Sequence, residues 1–140
     1  MKLYTYLNYG GNCAEAFRFY EKHLGGKIVM MMTHAQHPDA KNAAPPGSEN
    51  LILYANMTIG ETQLMGSDVP AERFQPMRSV YLSLSVDSDA EAERICALLA
   101  DGGEIFMAMA ETFFAFRFGM LRDRFGTSWM ILHQKPAPAN

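Results

Sequence analysis

Two glycine pairs set 77 positions apart constrain this chain more than any other feature. Gly25-Gly26-Lys27-Ile28 returns as Gly102-Gly103-Glu104-Ile105. A second match, Ile59-Gly60 with Phe125-Gly126, has a shift of 66. The two shifts differ by 11, which reads as extra loop in the first half. A chain that repeats its turns at fixed intervals repeats its supersecondary unit. Leu3 to Asn8 reads as a strand, and Tyr9-Gly10-Gly11 as a turn with Asn12 as helix cap. Ala14, Phe17, Phe19, Tyr20 and Leu24 give one helical face, ended by Gly25-Gly26. Strands follow at Lys27 to Thr33, Leu51 to Ile59 and Thr62 to Met65. The stretch from His34 to Asn50 reads as a long loop. Val69 to Arg78 reads as a linker around Pro70 and Pro76.

The second copy starts with a strand over Val80 to Val86. Asp87-Ser88-Asp89 caps a helix through Leu99, whose buried side holds Ile95, Leu98 and Leu99. Glu104 to Met109 is the next strand. An aromatic hairpin closes the unit: Phe114, Phe116 and Phe118 alternate along one strand, Asp123 to Gly126 turns, and Trp129 to Leu132 returns. The fold class is therefore α+β, with two βαβββ modules in one domain over residues 1–140. Module one covers about 1–68 and module two about 79–134. The helix covers one face of each unit's sheet, so two units side by side would build a curved eight-stranded mixed sheet around a cleft. Strand alternation sends Tyr54, Asn56, Thr58, Tyr81, Ser83 and Ser85 toward the cleft.

With 140 residues, 49% of them hydrophobic, one ordinary core can form. The net charge of −3 argues against a nucleic acid as main partner, because phosphate binding needs a basic face. The lack of an 18-residue apolar run argues against a membrane span, and the start carries no apolar leader, so the expected compartment is the cytoplasm. Cys13 and Cys96, both on expected helices, read as buried thiols, with a disulfide or a reactive thiol as the alternative. The eleven methionines, with a run at Met30-Met31-Met32, read as core filling or an adaptable lining.

Four stretches carry a family resemblance. They are Tyr6-Leu-Asn-Tyr-Gly-Gly-Asn-Cys-Ala-Glu-Ala-Phe-Arg-Phe-Tyr20, Gly60-x-Thr-x-Leu-Met65-x-x-Asp68, Glu111-Thr-Phe113, and Arg117-Phe-Gly-Met120 followed by Asp123-Arg-Phe-Gly126 and Trp129. Together with the paired modules they resemble the PhnB-like branch of the vicinal oxygen chelate superfamily. That superfamily includes glyoxalase I, extradiol dioxygenases, and fosfomycin and bleomycin resistance proteins. The branch is also labelled 3-demethylubiquinone-9 3-methyltransferase-like. The resemblance implies the glyoxalase/bleomycin resistance/dihydroxybiphenyl dioxygenase fold.

Metal-dependent members of the superfamily hold a divalent ion with His, Gln or Glu on strands of both modules. Carried over, those positions fall on Thr5, on Leu64 or Met65, on Tyr81 and on Met130. None is a normal ligand for a hard cation. The expectation is a protein without metal or cofactor. The methyltransferase label finds no nucleotide-type turn, because Tyr9-Gly10-Gly11-Asn12 lacks the third glycine and the parallel-sheet context. His34-x-x-His37-x-Asp39 has ligand types in a loop, and His133 lies past the last strand. Either could serve a divergent metal site.

The reading is a small, partly apolar ligand bound in the cleft of a homodimer. Tyr54, Tyr81, Phe114, Phe116 and Trp129 would supply walls, and Asn56, Ser83, Glu111 and Arg117 would orient polar groups. Glu111 with Arg117 is the candidate catalytic pair, able to bind or protonate a carbonyl, or else a structural ion pair at the rim. If Phe114, Phe116 and Trp129 face the helices, they are core only. Two alternatives stand beside this: a lyase, isomerase or dioxygenase with a divergent metal site, and a dimeric sequestering protein without turnover. The residues do not decide between an enzyme and a binder.

Overall fold

The structure is a computed structural model that describes residues 1–37 and 46–137. It divides into two compact units, Met1–Pro76 and Met77–Asn140. In the first, β1 (Thr5–Tyr9), α1 (Cys13–His23), β2 (Lys27–Thr33), β3 (Ile52–Ile59) and β4 (Thr62–Asp68) follow in order. In the second, β5 (Leu82–Ser85), α2 (Asp89–Ala100), β6 (Glu104–Ala110), β7 (Ala115–Arg122) and β8 (Ser128–Gln134) repeat that order. Both units are βαβββ modules, as the spaced glycines require.

Each module forms its own four-stranded sheet, ordered β1-β4-β3-β2 and β5-β8-β7-β6. The strands thus pair as two four-stranded sheets, not as the single eight-stranded sheet expected. The first and last strands pair in parallel, Tyr6 with Met65 and Ser83 with Met130. The other pairings are antiparallel. β5 is shorter than the stretch from Val80 to Val86 that reads as a strand.

The helices show why the modules are copies. α1 buries Cys13, Ala16, Phe17 and Tyr20, and α2 buries Ala92, Ile95, Cys96 and Leu99. The spacing i, i+3, i+4, i+7 is the same in both and lays one stripe on the sheet. Ala14 and Phe19, expected on that stripe, sit at its edge and stay partly exposed. Both helices end at a glycine in the left-handed region, Gly25 at φ 70° and Gly102 at φ 75°. A side chain there would strain the turn into the next strand, which explains the repeated pair.

The two helix starts differ. Ser88 caps α2 by accepting from the Glu91 amide at 3.1 Å. Asn12 makes no side-chain cap on α1, contrary to expectation. Asp68 takes that role from the end of β4. Its Oδ1 accepts from the Gly11 and Cys13 amides, each at 3.0 Å, and its Oδ2 accepts from the Ile52 amide at 2.9 Å. One carboxylate, 6% exposed, ties β4 to the helix start and to the head of β3. The sequence reading missed this because the partners lie 16 to 57 positions away.

Gly66 lets α1 approach its sheet: an added Cβ would stand 2.9 Å from the Leu7 carbonyl oxygen and 3.1 Å from the Phe17 ring. The face carrying Leu7, Tyr9, Ala55, Met57 and Leu64 is therefore the α1 side, and all five are buried.

Asp68→Ala leaves three amides without their acceptor. At about 1–3 kcal/mol for each buried donor, the substitution lowers unfolding stability by roughly 3 kcal/mol or more. Urea denaturation checks this, and a loss under about 1 kcal/mol would contradict the clamp.

Candidate functional site

With one face of each sheet under its helix, the chemistry is sought on the other. In the first module the register places Tyr6, Met65, Asn56 and Met30 in one row across the sheet. The Tyr54 hydroxyl lies 3.6 Å from the Met65 sulfur, and Ser67 donates to Asn8 Oδ1 at 3.3 Å. Asn56 Oδ1 is buried with no hydrogen-bond partner among the described residues. Tyr54 and Asn56 therefore stand on the helix-free face, where strand alternation puts them.

In the second module the register sorts the candidates differently. Leu82, Trp129 and Leu121 share one row, and Leu84, Ile131 and Gly119 share the next. These rows lie under α2, and Trp129 is only 2% exposed. The tryptophan is core; its Nε1 donates to Asp123 Oδ2 at 2.9 Å. Arg117 also turns to the helix, where its Nε stands 3.2 Å from Glu93 Oε1 on α2, at ion-pair distance without hydrogen-bond alignment. Arg117 and Trp129 thus do not line the helix-free face. Ser83 does, opposite Met130.

The single greasy face expected of Phe114, Phe116 and Phe118 is also broken, because an irregularity falls between Ala115 and Arg117. Phe114 precedes β7 and packs on Phe118 at 5.1 Å. Phe116, 39% exposed, packs on the His133 ring at 4.9 Å instead.

Glu111 does not pair directly with Arg117. Lys135 Nζ lies 2.9 Å from Glu111 Oε1, and their hydrogen bond holds the carboxyl below its ordinary range. An exposed carboxylate of that kind is a poor proton donor at neutral pH. The pair proposed for acid–base work is thus two separate surface ion pairs.

A cluster that the sequence reading missed lies on the helix-free side of the second sheet. Arg122, at the end of β7, donates from Nε to Ser128 Oγ at 3.3 Å. Its guanidinium sits 5.0 Å from the centre of the Phe106 ring. Tyr81 meets Phe106 edge to face, with centroids 6.3 Å apart. No ion pair engages Arg122 among the described residues. Counting by twos along β7 from Phe118 through Met120 would have found it.

The positions that hold metal in superfamily relatives do not fit a hard divalent ion here. Thr5 stands opposite Leu64 on the α1 side, whereas Met65 stands opposite Tyr6 on the other. Met130 is opposite Ser83 and Met120. Thioethers, a phenol and a turned-away hydroxyl lack the carboxylate and imidazole donors such ions take. Among the described residues no three His, Cys, Asp or Glu side chains gather into a metal-holding group. The His37 amide donates to the His34 carbonyl in a tight turn at 3.2 Å. Asp39, the third member of that motif, lies outside the described residues. His133 Nδ1 is engaged with Asp89 Oδ1 at 2.7 Å.

A nucleotide-type cofactor meets a different obstacle. The amides of Gly11 and Cys13 at the α1 start already point at Asp68, so a phosphate would meet a carboxylate. An added Cβ on Gly10 would come within 2.9 Å of the Phe74 ring, so that turn is packed against a side chain.

The chain matches the family described as 3-demethylubiquinone-9 3-methyltransferase over residues 1–132. It belongs to that family. Protein YjdN of Escherichia coli (strain K12) is 32% identical over 145 residues, covering 99% of each chain. Protein PA1353 from Pseudomonas aeruginosa is 36% identical, with a TM-score of 0.87 over 97% of this chain and 99% of that one. Two more distant structures show the fold alone. A putative 3-demethylubiquinone-9 3-methyltransferase, PhnB protein, from Bacillus cereus is 24% identical, with a TM-score of 0.80 over 95% and 99% of the chains. A glyoxylase/bleomycin resistance protein/dioxygenase domain from Frankia sp. EAN1pec is 14% identical, with a TM-score of 0.65 over 96% and 98%. The family is the one the four sequence stretches imply, and the fold is shared with the PhnB protein and with the glyoxylase/bleomycin resistance protein/dioxygenase domain.

The thiols take no part in the candidate chemistry. Burial, with the nearby Asp68 charge, pushes Cys13 up to about 12; burial and then Glu93 push Cys96 up as well. A thiol whose folded pKa is raised favours folding fully below its unfolded value, and that contribution fades as pH climbs toward the folded value. Stability therefore declines between about pH 9 and 12. At pH 8 the folded protein should resist iodoacetamide at both cysteines while the denatured chain reacts at both; mass spectrometry reads the difference. Rapid labelling of folded Cys13 would contradict its burial.

Proposed function

We propose that this chain binds a small, partly apolar ligand carrying an acidic group, and that it does so on the helix-free face of the second sheet. The observation that carries this reading is Arg122, a guanidinium laid on an aromatic ring and left without a carboxylate partner among the described residues. Arginine presents a planar fork that matches a carboxylate, and its stacking on Phe106 pre-orients the fork. Phe106, 40% exposed, and Tyr81 at right angles to it offer a wall for a planar apolar body. Ser83, on the same face, offers a hydroxyl. An acidic aromatic compound satisfies all of these groups.

The ligand is held without a metal, since the donor positions carry Met65, Tyr81 and Met130. The protein acts as a homodimer in the cytosol: exposed Tyr6, Met30, Met107 and Phe113 present apolar surface suited to a second copy. Neither a nucleic acid nor a membrane is a partner. Among the described residues no helix is long and apolar enough to cross a membrane.

Calorimetric titration with benzoate and hydroxybenzoates tests the site. Saturable binding is expected, weakened about tenfold or more by Arg122→Gln, as expected for a lost charge-assisted contact. Phe106→Ala should weaken it too, and Arg117→Gln should not. An Arg122→Gln protein that melts normally and binds with unchanged affinity would contradict the reading.

A further inference from the structure

The helix-free side of the second sheet extends well beyond the Arg122 cluster. β5 and β6 are the opposite edges of that sheet. Three strand intervals of about 4.8 Å would hold them roughly 14 Å apart if the sheet were flat. Yet the Tyr81 ring, just before β5, and the Phe106 ring on β6 stand 6.3 Å apart, edge to face. Phe106 also carries the Arg122 guanidinium, so the bridge lies on the helix-free side. The sheet therefore curls toward that side, and the two rings join its edges. A register irregularity between Ile105 and Met107 falls at Phe106 and re-aims its side chain.

Alternation along β7 and β8 sets what lines the concave side. Arg122 stands opposite Ser128 in the row at the bridge. The next row on the same face is Met107, Met120, Met130 and Ser83. The row after it holds Phe118 and Leu132. There the Phe114 ring packs edge to face on Phe118 at 5.1 Å. Phe118 and Arg122 lie four positions apart on one strand, about 13 Å. We infer that this trough receives a tail, and that the ligand class is an aromatic acid bearing an aliphatic chain. The inference rests on the reading of Arg122 as the acid-binding group.

The lining selects that shape. Between Arg122 and Phe118 this face of β7 and β8 carries only Met120 and Met130, so charge sits at one end alone. Glu104 stands opposite Arg122, but no ion pair joins them. Met120 and Met130 remain partly exposed and Met107 is 47% exposed, so the chain itself does not cover the row. A compact acid at Arg122 would leave these thioethers in water. A chain running toward Phe118 covers them, and unbranched thioethers adapt to its shape.

The full-length protein is titrated calorimetrically with benzoate, para-ethylbenzoate and para-butylbenzoate, and with para-butylbenzamide as the uncharged counterpart. Affinity should rise along the three acids, with para-butylbenzoate binding about tenfold or more tightly than benzoate, the gain for a half-covered butyl chain. The amide should not bind saturably. Met120→Gln and Met130→Gln should each bring the ratio of para-butylbenzoate to benzoate affinity down toward one. The two residues come from different strands, so one variant remains informative if the other misfolds. Equal affinity for benzoate and para-butylbenzoate, with both weakened by Arg122→Gln, would overturn the inference and leave the acid-binding reading standing; a second copy seated on the trough would give that result. A tail gain that survives both methionine variants would also overturn it. No saturable binding of any of the acids, or binding indifferent to Arg122→Gln, would overturn the inference and the acid-binding reading together.

Discussion

Two buried carboxylates hold the modules in the shape on which everything else depends. Asp68 gathers the amides of Gly11, Cys13 and Ile52, drawing the α1 start, the end of β4 and the head of β3 to one point. Asp123 gathers the amides of Phe125 and Thr127 with Oδ1, and the indole of Trp129 with Oδ2. Both are almost fully buried, where a carboxylate without donors would be costly. Three N–H groups apiece replace the lost hydration and fix geometry at the same time. One clamp closes a helix start and the other a hairpin, so the two copies have diverged in how they are locked while keeping the same strand order.

That architecture limits where chemistry can occur. A helix stripe covers one face of each sheet, and the side chains beneath it, including Trp129 and Ile131, are committed to packing. Charged groups on the same side, Arg117 and His133, are committed to Glu93 and Asp89 of α2. What remains is the other face of each sheet, which carries Met65 in the first module and Met130, with Tyr81 at the edge of the Phe106 ring, in the second. Soft sulfur and a neutral phenol suit apolar or aromatic ligands better than a hard ion. On the helix-free side of the second sheet Arg122 is held against Phe106 and Ser128, with no ion pair among the described residues.

The module repeat was legible because turns need particular residues. Gly25, Gly102, Gly60 and Gly126 all have positive φ, and their spacing gave the element order before any contact was known. The family was legible from short stretches around the same turns and clamps. Facing was legible only where alternation ran unbroken. Tyr54 and Asn56 on β3 and Ser83 on β5 point as their period implies. The irregularity between Ala115 and Arg117 shifts the reading by one, and that step moves a side chain to the opposite face. Beyond it the register runs unbroken from Arg117 to Arg122, so Arg122 shares the face of Phe118 and Met120 while Arg117 takes the opposite one. Asp68 stood in a family motif, yet its role depends on partners far along the chain, which periodicity cannot show. Asn12 had the right residue type for a cap but makes no side-chain cap bond, and it is Asp68 of β4 that accepts from the helix's first amide, that of Cys13.

The proposal of binding without a metal turns on the side chains at the positions that the sequence resemblance assigns to metal ligands, Thr5, Met65, Tyr81 and Met130. The most direct measurement is elemental mass spectrometry on untagged protein, followed by calorimetric titration with manganese(II), nickel(II) and zinc(II). The account predicts far less than one metal per chain as purified and no stoichiometric binding on titration. One tightly bound transition metal per chain, lost on substitution of His34, His37 or His133, would contradict it. It would favour the alternative of a lyase, isomerase or dioxygenase with a divergent metal site.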